Sequence, residues 1–453
     1  MSTLSQPFAQ QCRIEATAVS ATGGFLQTTL RWRRLLTAVT LFFLVVGLYY
    51  VGIKGEGRSA VNRWRPQVLE LWAGQDIYLT HGFPTPPIMV MTLTPFCLLP
   101  GAGTMTAWFF FKSALTLVVI VWMLQAVEQS IGKLPLWGAA AALILSARPV
   151  MGDLLHGNVN LWIMFLVIAS LMAFRQHQDV WAGLSLSLAI ACKLTPALLL
   201  IYFAWKRAWG LVAATAAGLL LWLIVVPGIV FGFERNQQLL THWADYMVWP
   251  YVQSGQVETE QTNQSAVALI HRFFAAESSA ASLEGSDHTS HTIVPVDAES
   301  LRRAWRITVG VVLVCLAIMC RRIWPDQRSA GWLHELGIVL LVMLMLSERS
   351  WKHHFVWLVP ISLALVASMI EIHRQRPESW RPWILGSCLT LAFLLMAGTS
   401  QDIVRPFAGE AGAKSFQAYG AYVWASAALI VAHLLALNSH ARQTHRMAKI
   451  GDD

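Results

Sequence analysis

The chain has 453 residues, of which 56% are hydrophobic and 13% charged. Soluble domains carry roughly 25% charged residues, so this composition, with a mean hydropathy of +0.51, leaves too little polar surface for a water-soluble globule. The formal net charge of +8 sits in patches: Arg31, Arg33 and Arg34 before the first apolar run, Arg321 and Arg322 after a later one, and Arg442, Arg446 and Lys449 in the tail. That is the patterning that orients membrane helices rather than a face for nucleic acid.

The apolar residues come in blocks suited to bilayer crossings of roughly 20 residues each. Backbone groups in hydrocarbon must pair within the segment, so the blocks read as helices. A membrane barrel needs short alternating segments, which the long apolar run over 212–226 does not provide. The expected fold is all-α and polytopic, with about twelve transmembrane helices.

Residues 1–34 read as a basic cytoplasmic arm rather than a cleaved leader, because the first apolar run follows a long polar stretch and exceeds the core of a signal peptide. Residues 35–438 form the membrane domain and 439–453 a cytoplasmic tail. The first span covers 36–53 and a polar stretch 54–85 follows outside. Spans at 86–99 and 103–126 come next, joined by the turn Pro100–Gly103. The short block 135–148 suits an interfacial or re-entrant element.

Further segments lie at 160–174, 180–192, 195–206 and 209–231, before a long outer loop, 232–300. The stretch Glu277–Ser300 in that loop is rich in Ser, Ala and Thr, a composition expected to be mobile. The closing spans are 303–320, 331–347, 354–371, 383–399 and 420–438. Trp32, Trp162, Trp181, Trp205 and Trp209 stand at segment ends, where indoles favour the interface. Cys97, Cys192, Cys315, Cys320 and Cys388 lie in or beside apolar runs without metal-ligand spacing and read as small apolar residues.

On this topology four polar clusters gather outside. The first loop carries Arg58, Asn62, Arg63, Trp64, Arg65, Glu70, Asp76 and Tyr78, followed by Thr85-Pro86-Pro87 opening a helix. The others are Asp153, His156, Asn158 and Asn160; Lys193-Leu194-Thr195-Pro196; and Glu348-Arg349-Ser350-Trp351-Lys352-His353-His354. Each has a plain structural reading. Asp76 suits a helix cap, Lys193 snorkelling, the His pair backbone bonding, and Arg63 and Arg65 lipid phosphate in general. Ionisable residues at membrane depth usually line a site or pathway, and four clusters on one side favour a cationic cavity for a lipid-borne phosphate.

These residues also carry a family resemblance. Leu71-Trp72-Ala73-Gly74-Gln75-Asp76-Ile77-Tyr78, then Pro84-Thr85-Pro86-Pro87 and Leu99-Pro100, resemble the opening of glycosyltransferase family 87. His156-Gly157-Asn158-Val159-Asn160 resembles its Gly-Gln-x-Asn motif, and Ala182-Gly183 through Lys193-Leu194-Thr195-Pro196 its Lys-x-Thr-Pro segment. Asn263-Gln264-Ser265 resembles its Asn-Gln-Ser loop, and Ser350-Trp351-Lys352-His353-His354 its Ser-Trp-Asp/Glu-His motif. The resemblance covers about residues 30–400. It implies a GT-C membrane fold and transfer of a sugar, mannose in characterised members, from a polyprenyl phosphate.

Three positions depart from the family pattern. Ala60–Asn62 lacks the acidic residue proposed as the family's base, Lys352 replaces the acid of the Trp-Asp/Glu-His motif, and Asn158 replaces a Gln. Inverting transfer needs a base, stabilisation of the leaving phosphate and a cavity open to lipid. The expected base is Asp153, then Glu348, then Asp76. Arg63, Arg65, Lys193, Lys352 and His353 are expected at the donor phosphate. Tyr78, His156, Asn158, Asn160, Asn263, Trp351 and His354 are expected along the substrate cavity. No metal or cofactor is required.

The expected protein is a hexosyltransferase of the plasma (inner) membrane, working on its extracytoplasmic face on a cell-envelope glycan or glycolipid acceptor. The alternative is a non-catalytic binder or transporter of lipid-linked sugars, favoured by the missing acidic position.

Overall fold

The computed structural model describes residues 23–53, 59–253, 257–276, 292–321 and 326–451. Most of the N-terminal arm, Arg58, Arg322 and much of the Ser-rich stretch lie outside them, as do the side chains of Arg442, Arg446 and Lys449.

The architecture is all-α. Its helices are α1 (Arg33–Ile53), α2 (Ala60–Trp72), α3 (Ile77–His81), α4 (Pro87–Cys97), α5 (Gly101–Ser130), α6 (Leu136–His156), α7 (Asn160–Arg175), α8 (Asp179–Cys192) and α9 (Ala197–Trp205). Then come α10 (Trp209–Leu220), which runs through a π-helical turn into α11 (Val226–Phe231), α12 (Phe233–Met247) and α13 (Ala266–Phe274). The chain closes with α14 (Ala298–Met319), α15 (Ala330–Leu346), a 3₁₀ turn (Lys352–Trp357) entering α16 (Leu358–Gln375), α17 (Arg381–Gly398), α18 (Gln401–Ala418) and α19 (Ala421–Gly451). Among the described residues seven helical segments are long and apolar enough to cross a membrane, and α4, α7, α8 and α15 are shorter apolar helices.

The two ends of the bundle are held by different chemistry. At one end the Arg175 guanidinium, closing α7, donates to Ser130 Oγ (3.1 Å) at the end of α5 and to the Gln327 carbonyl (2.9 Å). There too Lys206 Nζ pairs with Glu335 (2.5 Å) and donates to the Cys320 carbonyl, and Arg374 donates to the Lys133 carbonyl. Trp137, Trp181, Trp205, Trp209 and Trp383 stand exposed at helix ends here, the placement expected of an interfacial aromatic belt. The other end carries α2, α3, α12 and α13, so the described parts of the polar stretches 54–85 and 232–300 include short helices.

Two expectations for individual segments change. Residues 86–99 hold a helix too short to cross by itself: α4 has 11 residues, a rise of roughly 16 Å against about 30 Å of hydrocarbon. Both its ends face the same end of the bundle. Pro86 lines a cavity with Asn158, and the Leu99 carbonyl accepts from Arg65 Nε (2.8 Å). Conversely, the block 135–148 is part of the 21-residue helix α6, which continues through Pro149 to His156 and is long enough to span. The polar residues after 148 hid this continuation, because their partners are tertiary.

Candidate functional site

The floor of the site is a buried ionic knot where α6 turns into α7. Gly157 caps α6 with φ 65°, and a Cβ there would run into Ser59 Oγ. Glycine meets both demands of this turn. Lys112, midway along α5, reaches in with Nζ and donates to Asp153 Oδ1, the Asp153 carbonyl and the Asn158 carbonyl, each at 2.8 Å. Asp153 Oδ2 accepts from the Asn160 amide N (3.0 Å) and Nδ2 (2.9 Å). Trp108 Nε1 adds a bond to the Gly157 carbonyl (3.0 Å).

Neither ionic side chain of the Lys112–Asp153 pair is exposed (0% each). Asp153, the leading base on sequence grounds, therefore has both oxygens engaged and no access to a substrate in this arrangement. It fixes the turn that presents Asn158 and Asn160. Lys112 went unnoticed in the sequence, although a lone lysine after three phenylalanines inside an apolar run is a signal of a buried partner.

Above the knot, Lys193 sits in the break between α8 and α9. Its Nζ donates to Asn160 Oδ1 (2.5 Å) and lies 3.4 Å from His354 Nε2. Burial lowers its ammonium to about 8, with the Asp153 carboxylate opposing.

The facing wall is the segment Ser347–Trp351, held by the Asn263-Gln264-Ser265 loop. Asn263 Nδ2 donates to the Glu258 and Glu348 carbonyls (2.9 Å each), and its Oδ1 accepts from the Ser350 amide N (2.9 Å). The Gln264 amide N donates to the Ser350 carbonyl (2.6 Å), and Ser265 caps α13 through its Oγ. Asn263 is thus a buried clamp on the backbone around Glu348.

Glu348 itself points elsewhere. Its neighbour Arg349 pairs with Glu258 (2.7 Å) and lies over the Tyr251 ring (5.0 Å). No hydrogen-bond or ionic partner for the Glu348 carboxyl occurs among the described residues. Burial alone pushes that carboxyl up to about 7.

Lys193, Glu348, Arg349, Asn158, Trp351 and His354 line one cavity of about 510 Å³. The rest of its wall is mostly apolar, including Trp64, Leu198, Trp243, Leu313, Met343 and Leu346. Polar and charged groups in the wall of a mostly apolar cavity suit an amphiphile with a charged head.

Other residues singled out from the sequence stand apart. Trp64 on α2 faces the cavity, whereas its neighbours Arg63 and Arg65, each turned about 100° away, do not line it. Arg63 is exposed and Arg65 bonds the Leu99 carbonyl. The expected convergence of these arginines with Lys193 is therefore corrected by helical phase. Lys352 Nζ lies 3.4 Å from the Thr399 carbonyl, on another side. Asp76 caps α3 by accepting from the Tyr78 and Leu79 amides, and pairs with His242 (2.6 Å). Tyr78 is buried and donates to the Thr85 carbonyl (3.0 Å). His353 stands behind the wall, accepting from Asn158 Nδ2 (3.0 Å) and stacked on His156 at 5.4 Å. Among the described residues no group of three or more His, Cys, Asp or Glu side chains is placed to hold a metal ion.

A bundle of membrane-length helices around a cavity for an amphiphile, with a carboxyl near neutrality and an ammonium in its wall, defines a polytopic membrane protein with an enzyme-like site. The profile of glycosyltransferase family 87 matches residues 83–348. The chain belongs to that family, and it is accordingly a membrane hexosyltransferase.

It is 27% identical over 470 aligned residues to a polyprenol-phosphate-mannose-dependent α-(1-2)-phosphatidylinositol mannoside mannosyltransferase of Mycolicibacterium smegmatis, covering 91% of each chain. It is 26% identical to a polyprenol-phosphate-mannose-dependent α-(1-2)-phosphatidylinositol pentamannoside mannosyltransferase of the same organism, over 78% of this chain and 75% of the relative. A phosphatidylinositol mannoside mannosyltransferase of Mycobacterium tuberculosis is 25% identical over 71% and 77% of the two chains. Among solved structures, ArnT from Cupriavidus metallidurans bound to undecaprenyl phosphate aligns over 88% of this chain and 76% of that one, with a TM-score of 0.44 and 16% identity.

Proposed function

We propose that the chain transfers a hexose, mannose by analogy with its relatives, from a polyprenyl-phosphate donor to a hydroxyl of a lipid-borne glycan acceptor. Glu348 serves as the base and Lys193 as the cation for the donor phosphate. The observation that carries this reading is the presence, in one largely apolar cavity, of a carboxyl raised to about 7, without a partner among the described residues, and a lysine at its wall. A carboxyl at that value balances availability against basicity near neutral pH.

In the transfer the acceptor oxygen forms a bond to the anomeric carbon as the bond from that carbon to the phosphate oxygen breaks. The acceptor proton passes to Glu348. The phosphate leaves with the bonding pair and is met by the Lys193 ammonium, held in place by Asn160 and backed by His354. Arg349 stands in the same wall, while its ion pair with Glu258 leaves Glu348 unneutralised.

The test is the pH profile of kcat/KM for transfer from polyprenyl-phosphate mannose. Glu348 works deprotonated, so the rate is expected to rise as pH passes about 7. Lys193 works protonated, so the rate is expected to fall as pH passes about 8. Lys193→Arg, which stays charged, should remove the alkaline limb and leave the acid limb. A profile flat from pH 6 to 9 would rule out both assignments.

We place the cavity on the extracytoplasmic face of the plasma membrane, because the basic arm before α1 marks the opposite end as cytoplasmic. In a chain whose own six cysteines are replaced, Leu79→Cys should react with an impermeant maleimide in intact cells. Glu378→Cys, in the exposed connection before α17, should react only after lysis. The reverse pattern would put the site on the cytoplasmic side.

A further inference from the structure

The end of the bundle opposite Lys193 and Glu348 holds a cavity of its own. Its volume is about 440 Å³, and its wall includes His177, Asp179, Lys206, Arg207, Trp209 and Trp332. The connection between α7 and α8 and the connection between α9 and α10 meet there. Asp179 opens α8 and Cys192 closes it, so a helix of 14 residues, a rise of roughly 21 Å, separates this cavity from Lys193.

Two helices stop at this cavity in the same way. The His177 amide donates to the Phe174 carbonyl (2.9 Å) and the Gln178 amide to the Ala173 carbonyl (3.0 Å), closing α7. The Arg207 and Ala208 amides donate to the Ala204 and Phe203 carbonyls (3.0 Å each), closing α9. Such an ending needs one left-handed residue, a place usually taken by glycine. Here it is His177, with φ 58°, and Arg207, with φ 59°. No other non-glycine residue among the described residues has a positive φ, and both of these line the one cavity. A side chain held where glycine would be less strained points to a use for that side chain.

The cavity offers charge of both signs. Lys206 is committed to Glu335 and to the Cys320 carbonyl. The Arg207 guanidinium and the Asp179 carboxylate have no hydrogen-bond or ionic partner among the described residues. Asp179 stands against the start of α10, where a Cβ on Gly210 would run into its Oδ2. Gly210 is three residues beyond Arg207, so the two connections bring a free cation and a free anion to one wall.

The surroundings are those of a lipid headgroup. Trp181, Trp205 and Trp209 stand exposed at the helix ends that form the cavity, and indoles favour the membrane interface. Val180 on α8 and Ile201 on α9 are exposed as well, an apolar surface along which acyl chains can lie. A guanidinium takes a phosphate. The carboxylate repels a headgroup that is only anionic, and it holds an ammonium that donates hydrogen bonds. A headgroup carrying both signs meets both residues.

We infer that this cavity binds a phospholipid with a primary-ammonium headgroup, of the phosphatidylethanolamine kind, with its phosphate on Arg207 and its ammonium on Asp179. The site is separate from the transfer chemistry and does not depend on the roles of Glu348 and Lys193. It fastens the far ends of α8 and α9, the two helices between which Lys193 stands.

The experiment titrates lipids into the delipidated full-length enzyme in detergent and follows the first bound lipid by native mass spectrometry. The probes are phosphatidylethanolamine, phosphatidylcholine and phosphatidylglycerol with the same acyl chains, and water-soluble phosphoethanolamine. Phosphatidylethanolamine should bind more tightly than phosphatidylcholine, whose headgroup has no N–H, and than phosphatidylglycerol, which has no ammonium. Phosphoethanolamine, lacking acyl chains, should not displace it. Arg207→Gln should weaken phosphatidylethanolamine roughly ten- to hundredfold, the range for a lost hydrogen bond to a charged group. Asp179→Asn should abolish the preference for phosphatidylethanolamine over phosphatidylglycerol. Arg376→Gln removes an exposed charge outside the cavity wall and should leave the binding of all three lipids unchanged.

Equal binding of the three lipids to the unsubstituted enzyme would overturn the inference without recourse to any variant. Tighter binding of phosphatidylglycerol would overturn it in favour of a site for anionic lipid. Displacement by phosphoethanolamine would assign the cavity to a soluble ligand. Equal weakening in Arg207→Gln and Arg376→Gln would reduce the effect to general charge.

Discussion

Glu348→Gln is expected to lower turnover by about 10²–10⁴, the usual cost of removing a general base, while binding of the polyprenyl-phosphate donor is largely kept. The substitution preserves the size and polarity of the side chain and removes only its ability to take a proton. The backbone around it should hold, because Asn263 and Gln264 clamp that segment through the carbonyls of Glu348 and Ser350 and the amide of Ser350. Single-turnover transfer from labelled polyprenyl-phosphate mannose gives the rate, and equilibrium retention of donor in nanodiscs gives the binding. Asp76→Asn is the matched control. It alters a carboxylate that caps α3 and pairs with His242, and it should cost little turnover. Full turnover in Glu348→Gln would dismiss it as the base.

The second large effect concerns the buried ion pair. Lys112→Met alone leaves the Asp153 carboxylate without its cation, and Asp153→Asn alone leaves the ammonium without its anion, both in a site with no solvent exposure. Removing one partner of a buried pair costs about 3–5 kcal/mol, mainly from the charge left behind. The double variant Lys112→Met/Asp153→Asn carries no stranded charge, and its Asn can still accept from Asn160. Its stability should therefore return most of the way to wild type, a large coupling in a double-mutant cycle. Thermal unfolding in detergent, followed by size-exclusion chromatography, reads the effect. Additive losses would mean the pair is not coupled as described. The double variant also tests the sequence-based choice of base: a folded, donor-binding protein with no transfer would return that role to Asp153.

The family motifs take on separable physical duties once placed. The Gly-x-Asn turn exists because Gly157 adopts a left-handed conformation against Ser59, and because Lys112 gathers its carbonyls. The Lys-x-Thr-Pro break delivers Lys193 between two short helices. The Asn-Gln-Ser loop touches backbone rather than the cavity, so Asn263, expected along the substrate, works by holding Glu348 in position.

By itself the sequence determined that this is a helical membrane protein, where most of its helices run, which family it resembles and which short polar stretches matter. Those properties follow from composition, from the length of apolar runs and from contiguous motifs, all local along the chain. It did not determine which polar residue meets which. Asp153 and Lys112 lie 41 positions apart, and Arg349, next to Glu348, pairs with Glu258, far away in the chain. Whether a carboxyl is locked in a knot or left at a cavity wall depends on such long-range partners and on helical phase, as with Trp64 turning inward while Arg63 and Arg65 turn away. The tertiary structure likewise decided that α4 stays at one end of the bundle and α6 runs its full 21 residues, because only packing shows where a polar helix end finds its partners.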